Sequence, residues 1–292
     1  MISVVKNRGS ISGIGRRAAS AALALAVVLV PAVVATRSAQ AQTFSVLHSF
    51  TGAEGGNPGA GLIRDASGNL YGTTPKGGAH GLGTVFKLDT TGKETVLHSF
   101  AGYPTDGFGP FASLIRDASG NFYGTTFEGG IGLCGLRFLP VGCGTIFKLD
   151  PMGNETILYS FRGANGSSPE AALTRDASGN LYGAAHAGGA FGAGVVFKLD
   201  TAGKETILHS FTGGADGGLP LSRLVRDASG NLYGTTSDGG VFQNRRFSVS
   251  HPRIRVMSSG PFVKDICRAV AFHLLSDDSK TNLGKTETCP AC

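Results

Sequence analysis

The chain has 292 residues, 46 of them glycine and none tryptophan, a composition that excludes a helical bundle and points to a turn-rich β protein of one large or two ordinary domains. Its formal charge of +6 invites a nucleic-acid reading, but residues 1–41 hold five Lys or Arg and no acid, residues 241–292 hold eight against four, and residues 42–240 hold 13 against 16, net −3. A basic footprint on the body of the chain is excluded, and nucleic acid is not an expected partner.

Residues 1–41 begin with Lys6, Arg8, Arg16 and Arg17, run through an apolar stretch at 18–35 and end in Ala39-Gln40-Ala41, the layout of a secretory signal. A membrane anchor is the rival reading, because the run approaches spanning length. Pro31, the many alanines and the small-residue site favour cleavage after Ala41. The expectation is a secreted, extracellular or periplasmic protein whose mature chain starts at Gln42 and has no transmembrane segment.

From Thr43 the chain is periodic. Arg64-Asp65-Ala66-Ser67-Gly68-Asn69-Leu70-Tyr71-Gly72 returns almost unchanged at Arg116, Arg175 and Arg226, at spacings of 52, 59 and 51 residues. Such periods belong to propeller blades rather than to helical solenoids. Within each unit, residues 62–74 read as a hairpin turning at Ala66-Ser67-Gly68, and residues 84–100 as a second hairpin turning at Thr90-Thr91-Gly92-Lys93. Four short strands a, b, c and d result.

An orphan d strand at 44–50 precedes three full units, and 224–236 supplies a fourth a and b. The fourth c strand is missing from its expected place after Gly239-Gly240; residues 246–250, where Phe247 and Val249 alternate with polar residues, are the sequence's best substitute. Paired with 231–236 on one side and 44–50 on the other, that segment would close a four-bladed ring. The break in composition beyond His251 favours an open or poorly closed form. Residues 261–275 read as a helix with Val263, Ile266, Cys267, Val270 and Leu274 on one face. A cap, an unrelated appendage and a frame-shifted end are all open readings of the tail.

The predicted fold is therefore all-β: a signal at 1–41, a β-propeller-like array of about four four-stranded antiparallel blades at 42–250, and a non-repeat tail at 251–292, partly helical or disordered. The repeated Arg-Asp-Ala-Ser-Gly-Asn-(Leu/Phe)-Tyr-Gly, the Gly-Gly after strand b, the (Val/Ile)-Phe-Lys-Leu-Asp and the Leu-(His/Tyr)-Ser-Phe resemble the GloVer tandem repeat of bacterial secreted proteins with varied C-terminal anchors. The resemblance covers 43 to about 240 and implies an extracellular or surface repeat protein with no catalytic residues to carry over. The Asp65 to Tyr71 hairpin is more distantly similar to NHL-type propeller blades.

The a–b and c–d connections are short, whereas the b–c and d–a loops are long and differ in every copy, so one face is free to vary. It carries Glu54, Lys76, His80, Asp106, Glu128, Arg137, Glu170, His186, Asp216, Arg223 and Asp238, of which His80, Asp106, Glu128, Arg137, His186, Asp216 and Asp238 are the binding candidates. The expected function is a binding or scaffolding module for a glycan, a peptide or an envelope protein. The alternative is a propeller-type lyase or glycosidase; Glu128 and Asp238, at equivalent positions where the other copies have Lys76 and Ala187, are its candidate acids.

No cofactor or metal is expected. Asp65, Asp117, Asp176 and Asp227 offer too few oxygens for calcium and read as Asx-type turns. His48, His98 and His209, with Tyr159 in the equivalent place, read as polar-tipped packing on the outer strands. Cys134 and Cys143, both inside the insertion that lengthens the second b–c loop, are expected to form a disulfide. Cys289-Pro290-Ala291-Cys292 has redox spacing without a helix behind it, and zinc at Cys267, His273, Cys289 and Cys292 is a remote option.

Overall fold

A computed structural model of the chain describes residues 44–134 and 141–240, and the backbone of strands at 2–5, 254–258 and 270–274. Two compact units divide it, residues 1–49 and 50–292. In the first, Ile2–Val5 pairs antiparallel with Phe44–His48. The apolar run at 18–35 and the cleavage site lie outside the described residues; no helix among the described residues is long and apolar enough to cross a membrane.

The second unit is a propeller-like series of antiparallel sheets, each in the order a, b, c, d. The first blade is Ile63–Arg64, Leu70–Thr74, Thr84–Leu88 and Glu94–Ser99. The second is Ile115–Arg116, Phe122–Thr126, Thr145–Leu149 and Glu155–Ser160. The third is Thr174–Arg175, Leu181–Ala185, Val195–Leu199 and Glu205–Ser210.

Strands b and c form the buried centre of each sheet, and their cross-strand pairs explain the repeated Tyr-Gly. Gly72 faces Phe86, Gly124 faces Phe147 and Gly183 faces Phe197. A Cβ on Gly72 would stand 2.6 Å from Leu62 Cδ2 and 2.7 Å from Phe86 Cζ, so the aromatic ring occupies the space a side chain would need. Blades are then joined by aromatic edges. Phe50 packs on Phe86, Phe100 on Phe147 and Phe161 on Phe197, with centroids 5.0, 5.2 and 5.2 Å apart. Phe100, Phe147, Phe161 and Phe197 are wholly buried; truncating a ring of this kind costs about 3–5 kcal/mol.

The turns follow from one side chain each. Asp65 Oδ1 accepts from Asn69 N at 2.9 Å, while Oδ2 accepts from Asn69 Nδ2 at 2.8 Å and Tyr71 Oη at 2.9 Å. Asp117, Asp176 and Asp227 repeat the pattern with Asn121 and Tyr123, Asn180 and Tyr182, and Asn231 and Tyr233. The Asn69 amide leads in holding the Asp65 carboxyl down to about 2. These acids are turn locks, with the bonded amide four residues on rather than the two or three an ordinary Asx turn uses.

The fourth sheet departs from expectation. Val225–Arg226 pairs with Leu232–Asp238, and the c position beside it is taken by Val270–Leu274, with Ile254–Ser258 outside that strand. Leu232 faces Leu274 and Gly234 faces Phe272, as Leu70 faces Leu88 and Gly72 faces Phe86. The predicted c strand at 246–250 lies outside the described residues, and the place it was to fill is occupied. The predicted helix at 261–275 is corrected over 270–274, which is strand; residues 261–269 lie outside the described residues. An open sheet edge with an orphaned row of N–H and C=O groups favours strand addition over an amphipathic helix with no helix partner. The orphan strand Phe44–His48 has Ile2–Val5 as its pairing partner.

Candidate functional site

The loop face is more ordered than loops of unequal length suggest. Each d–a segment pairs back onto the end of strand b: Gly56 with Lys76, Gly107–Phe108 with Glu128–Gly129, Ser167 with Ala187, and Gly218 with Asp238. The four positions Lys76, Glu128, Ala187 and Asp238 are thereby structurally equivalent, as their places before Gly-Gly imply. Glu128 is half-buried and burial raises its carboxyl, while Asp238 is exposed and accepts from Gly239 N at 2.8 Å. Among the described residues no hydrogen bond or ion pair joins the two.

The remaining candidates are scattered. His80 and Arg223 are exposed, Glu170 and His186 half-buried, and Arg137 lies outside the described residues. His186 Nδ1 is enclosed with no hydrogen-bond partner, and Arg223 Nε reaches Thr174 Oγ1 at 3.4 Å. Glu54 accepts from Thr51 N at 2.8 Å. Cys134 and Cys143 are disulfide-bonded, as their spacing predicts.

A groove opens between the outer strand of the second blade and the loop that leads into that blade, lined by Pro104, Thr105, Ile131, Leu158, Tyr159 and Arg162 among others. At the seam between the first two blades the structure assembles polar groups that sequence spacing does not connect. In each of the first three blades the c–d pair carries a β-bulge: Val85 faces His98 but Phe86 faces Val96, leaving Leu97 as the extra residue, and Leu158 and Leu208 play the same part. The extra residue re-aims the side chain that follows it. His98 Nε2 then lies 3.2 Å from Asp106 Oδ2 and 3.5 Å from Oε2 of Glu155, which opens the d strand of the next blade.

Asp106 is 7% exposed, and its carboxylate also accepts from Ala101 N at 2.7 Å and from Gly107 N. Burial would push the Asp106 carboxyl up, but His98 and those backbone donors hold it low. Glu155 moves the other way, raised first by burial and then by the Asp106 charge beside it. The two carboxyls are pushed in opposite directions because the donors around Asp106 favour its ionised form while burial and that charge disfavour an ionised Glu155.

The next seam carries a neutral version. Tyr159 Oη donates to Glu205 Oε2 at 2.6 Å, and Asn165 Nδ2 donates to the same oxygen at 3.0 Å. In the third blade His209 Nε2 meets Asp216 Oδ2 at 3.1 Å. His98, Tyr159 and His209 each sit beside an acid or amide six to eight residues later and, for His98 and Tyr159, beside a Glu of the following blade, rather than in a ring. Asp106 and Asp216 are legible as candidates, whereas Glu155 and Glu205 are not, because only blade docking brings them in from 49 and 40 residues away.

Residues 32–247 match the Gloeobacter/Verrucomicrobia repeat. The chain belongs to that family. This Gloeobacter/Verrucomicrobia repeat protein is also similar to solved structures. One is a gluconolactonase-family protein from structural genomics, at TM-score 0.40 and 16% identity, covering 74% of this chain and 73% of that one. Another is a gluconolactonase from Xanthomonas campestris, at TM-score 0.30 and 14% identity, covering 74% and 71%. A third is dipeptidyl peptidase 4 of Porphyromonas gingivalis, at TM-score 0.29 and 14% identity, covering 60% and 23%. No curated protein matches the chain.

Proposed function

We propose that the protein is exported and acts as a binding or scaffolding module whose b–c and d–a loops engage a glycan, a peptide or another envelope protein. The observation that supports this most is where apolar side chains meet solvent. Tyr103, Phe111, Ile131, Leu133, Phe191 and Leu221 are 41–69% exposed and lie in those loops, six of the twelve large apolar side chains exposed among the described residues; the others, such as Met152 and Val225, are on strands or a c–d turn. Single exposed apolar residues are ordinary. Six of them at the variable end of a scaffold whose repeated polar groups are spent on turns and seams fit an interaction surface. The disulfide within the same loops supports an oxidising compartment.

The full exported chain, applied to glycan and peptide arrays, is expected to retain ligands that a Phe111→Ser, Phe191→Ser variant retains at least tenfold less well at unchanged melting temperature. Equal retention by the variant, or no retention by either protein, defeats the reading. N-terminal sequencing of protein from the envelope or medium is expected to begin at Gln42, and a retained Met1 defeats export with cleavage.

A further inference from the structure

The geometry points to a divalent-cation site of the zinc type at the seam between the first two blades, with His98 Nε2, Asp106 and Glu155 as ligands. The three offer one nitrogen and two carboxylates whose donor atoms all lie within 4.8 Å of one another. Donors around a tetrahedral zinc at about 2.0–2.1 Å stand roughly 3.3–3.4 Å apart. The imidazole nitrogen is 3.2 Å from one carboxylate oxygen and 3.5 Å from the other, close to that spacing. Nitrogen with oxygen, rather than oxygen alone, selects zinc or a similar transition ion over calcium or magnesium.

One observation separates this seam from a self-contained hydrogen-bond cluster, and the repeat supplies it. The Glu155 side chain is only 11% exposed and its Oε1 is enclosed with no hydrogen-bond partner, a feature Glu94 shares. Glu205, the counterpart of Glu155, keeps an unpartnered Oε1 as well, but its Oε2 is met by the Tyr159 hydroxyl and the Asn165 amide, two neutral donors. At the first seam those places hold His98 and Asp106, which together bring a ligand nitrogen and a second carboxylate. The change turns a donor-rich pocket into a ligand-rich one. A cation there would tie the d strand of the first blade to the d strand of the second, with one coordination position left for water or a ligand atom.

The test uses the full exported chain, stripped with chelator and titrated with zinc chloride by calorimetry, with metal content read by mass spectrometry. One zinc per chain is expected, with a rise in melting temperature. Because the tail cysteines are competing ligands, a Cys267→Ser, Cys289→Ser, Cys292→Ser variant is expected to keep that zinc. A His98→Tyr, Asp106→Asn variant reproduces the Tyr159 and Asn165 arrangement that the same fold already accommodates. It is expected to fold and to lose zinc affinity at least a hundredfold. Zinc lost with the tail cysteines, equal zinc binding by the tyrosine and asparagine variant, or no zinc bound by the parent chain each overturns the site.

Discussion

Phe86 lies across the strand from Gly72 so closely that an added Cβ would meet its ring at 2.7 Å, and Phe147 stands 2.5 Å from the same point on Gly124. Gly124→Ala is therefore an overpacking substitution, with Leu114 Cδ2 also only 3.0 Å away. It is expected to cost about 1–3 kcal/mol, measured as a shift in denaturant midpoint at unchanged slope. Gly52→Ala, where nothing lies within 4 Å but φ is +103°, tests backbone strain alone and should cost less.

The turn locks are testable through their outermost donor. Tyr182, 9% exposed, donates to Asp176 Oδ2 at 3.0 Å. Tyr182→Phe removes that donor and leaves the ring in place, with an expected loss of about 1 kcal/mol. Chemical denaturation of the two proteins at neutral pH reads it directly.

Stability should depend on pH through Glu94, whose carboxyl is raised to about 7, chiefly by burial and then by the Glu54 charge. The folded protein keeps a proton that the unfolded chain releases near the ordinary value of 4.5, so this contribution to stability falls as pH rises from about 4.5 to 7 and is level above. Glu94→Gln is expected to remove that decline. A wild-type-minus-variant difference that stays constant between pH 4.5 and 7.5 counts against it.

The Cys134–Cys143 bridge closes a short loop, with the two Cα atoms 5.0 Å apart. Chain entropy values such a closure at roughly 2–3 kcal/mol. Cys134→Ser with Cys143→Ser should lower the melting temperature, and reduction of the parent protein should reproduce the loss.

Removal of residues 251–292 strips Leu232–Asp238 of the strand beside it. The truncated chain presents a bare edge and is expected to self-associate, seen as a concentration-dependent mass by light scattering. A monodisperse monomer would show that the edge needs no cover.

Much of this architecture is legible because the repeat states it four times. The hairpin turns at Ala66-Ser67-Gly68 and Thr90-Thr91-Gly92-Lys93 and the lengthened loop with its disulfide follow from local pattern. Two features escape. The bulge at Leu97 leaves no mark on an alternating strand, so His98 reads as an outer packing residue. Glu155 reads as the opening polar residue of a strand because its neighbours come from another blade. The tail misleads for a different reason: Val270 to Leu274 holds apolar residues at helical as well as strand spacing, and an open sheet edge decides between them.

The fourth sheet has a bearing on how the protein is made. In the first three blades strand c follows strand b within the same repeat, Leu70 facing Leu88, so each blade can form as soon as its own repeat emerges. Leu232 instead waits for Leu274, and Ile254–Ser258 takes its place only against Val270–Leu274. A chain delivered from its N-terminus would therefore hold three finished blades and one unprotected hairpin until residues 270–274 appear. Premature termination anywhere between 239 and 270 would release a product with most of its core intact and one adhesive rim, and the cell would meet it as a seed for aggregation rather than as an unfolded chain for disposal.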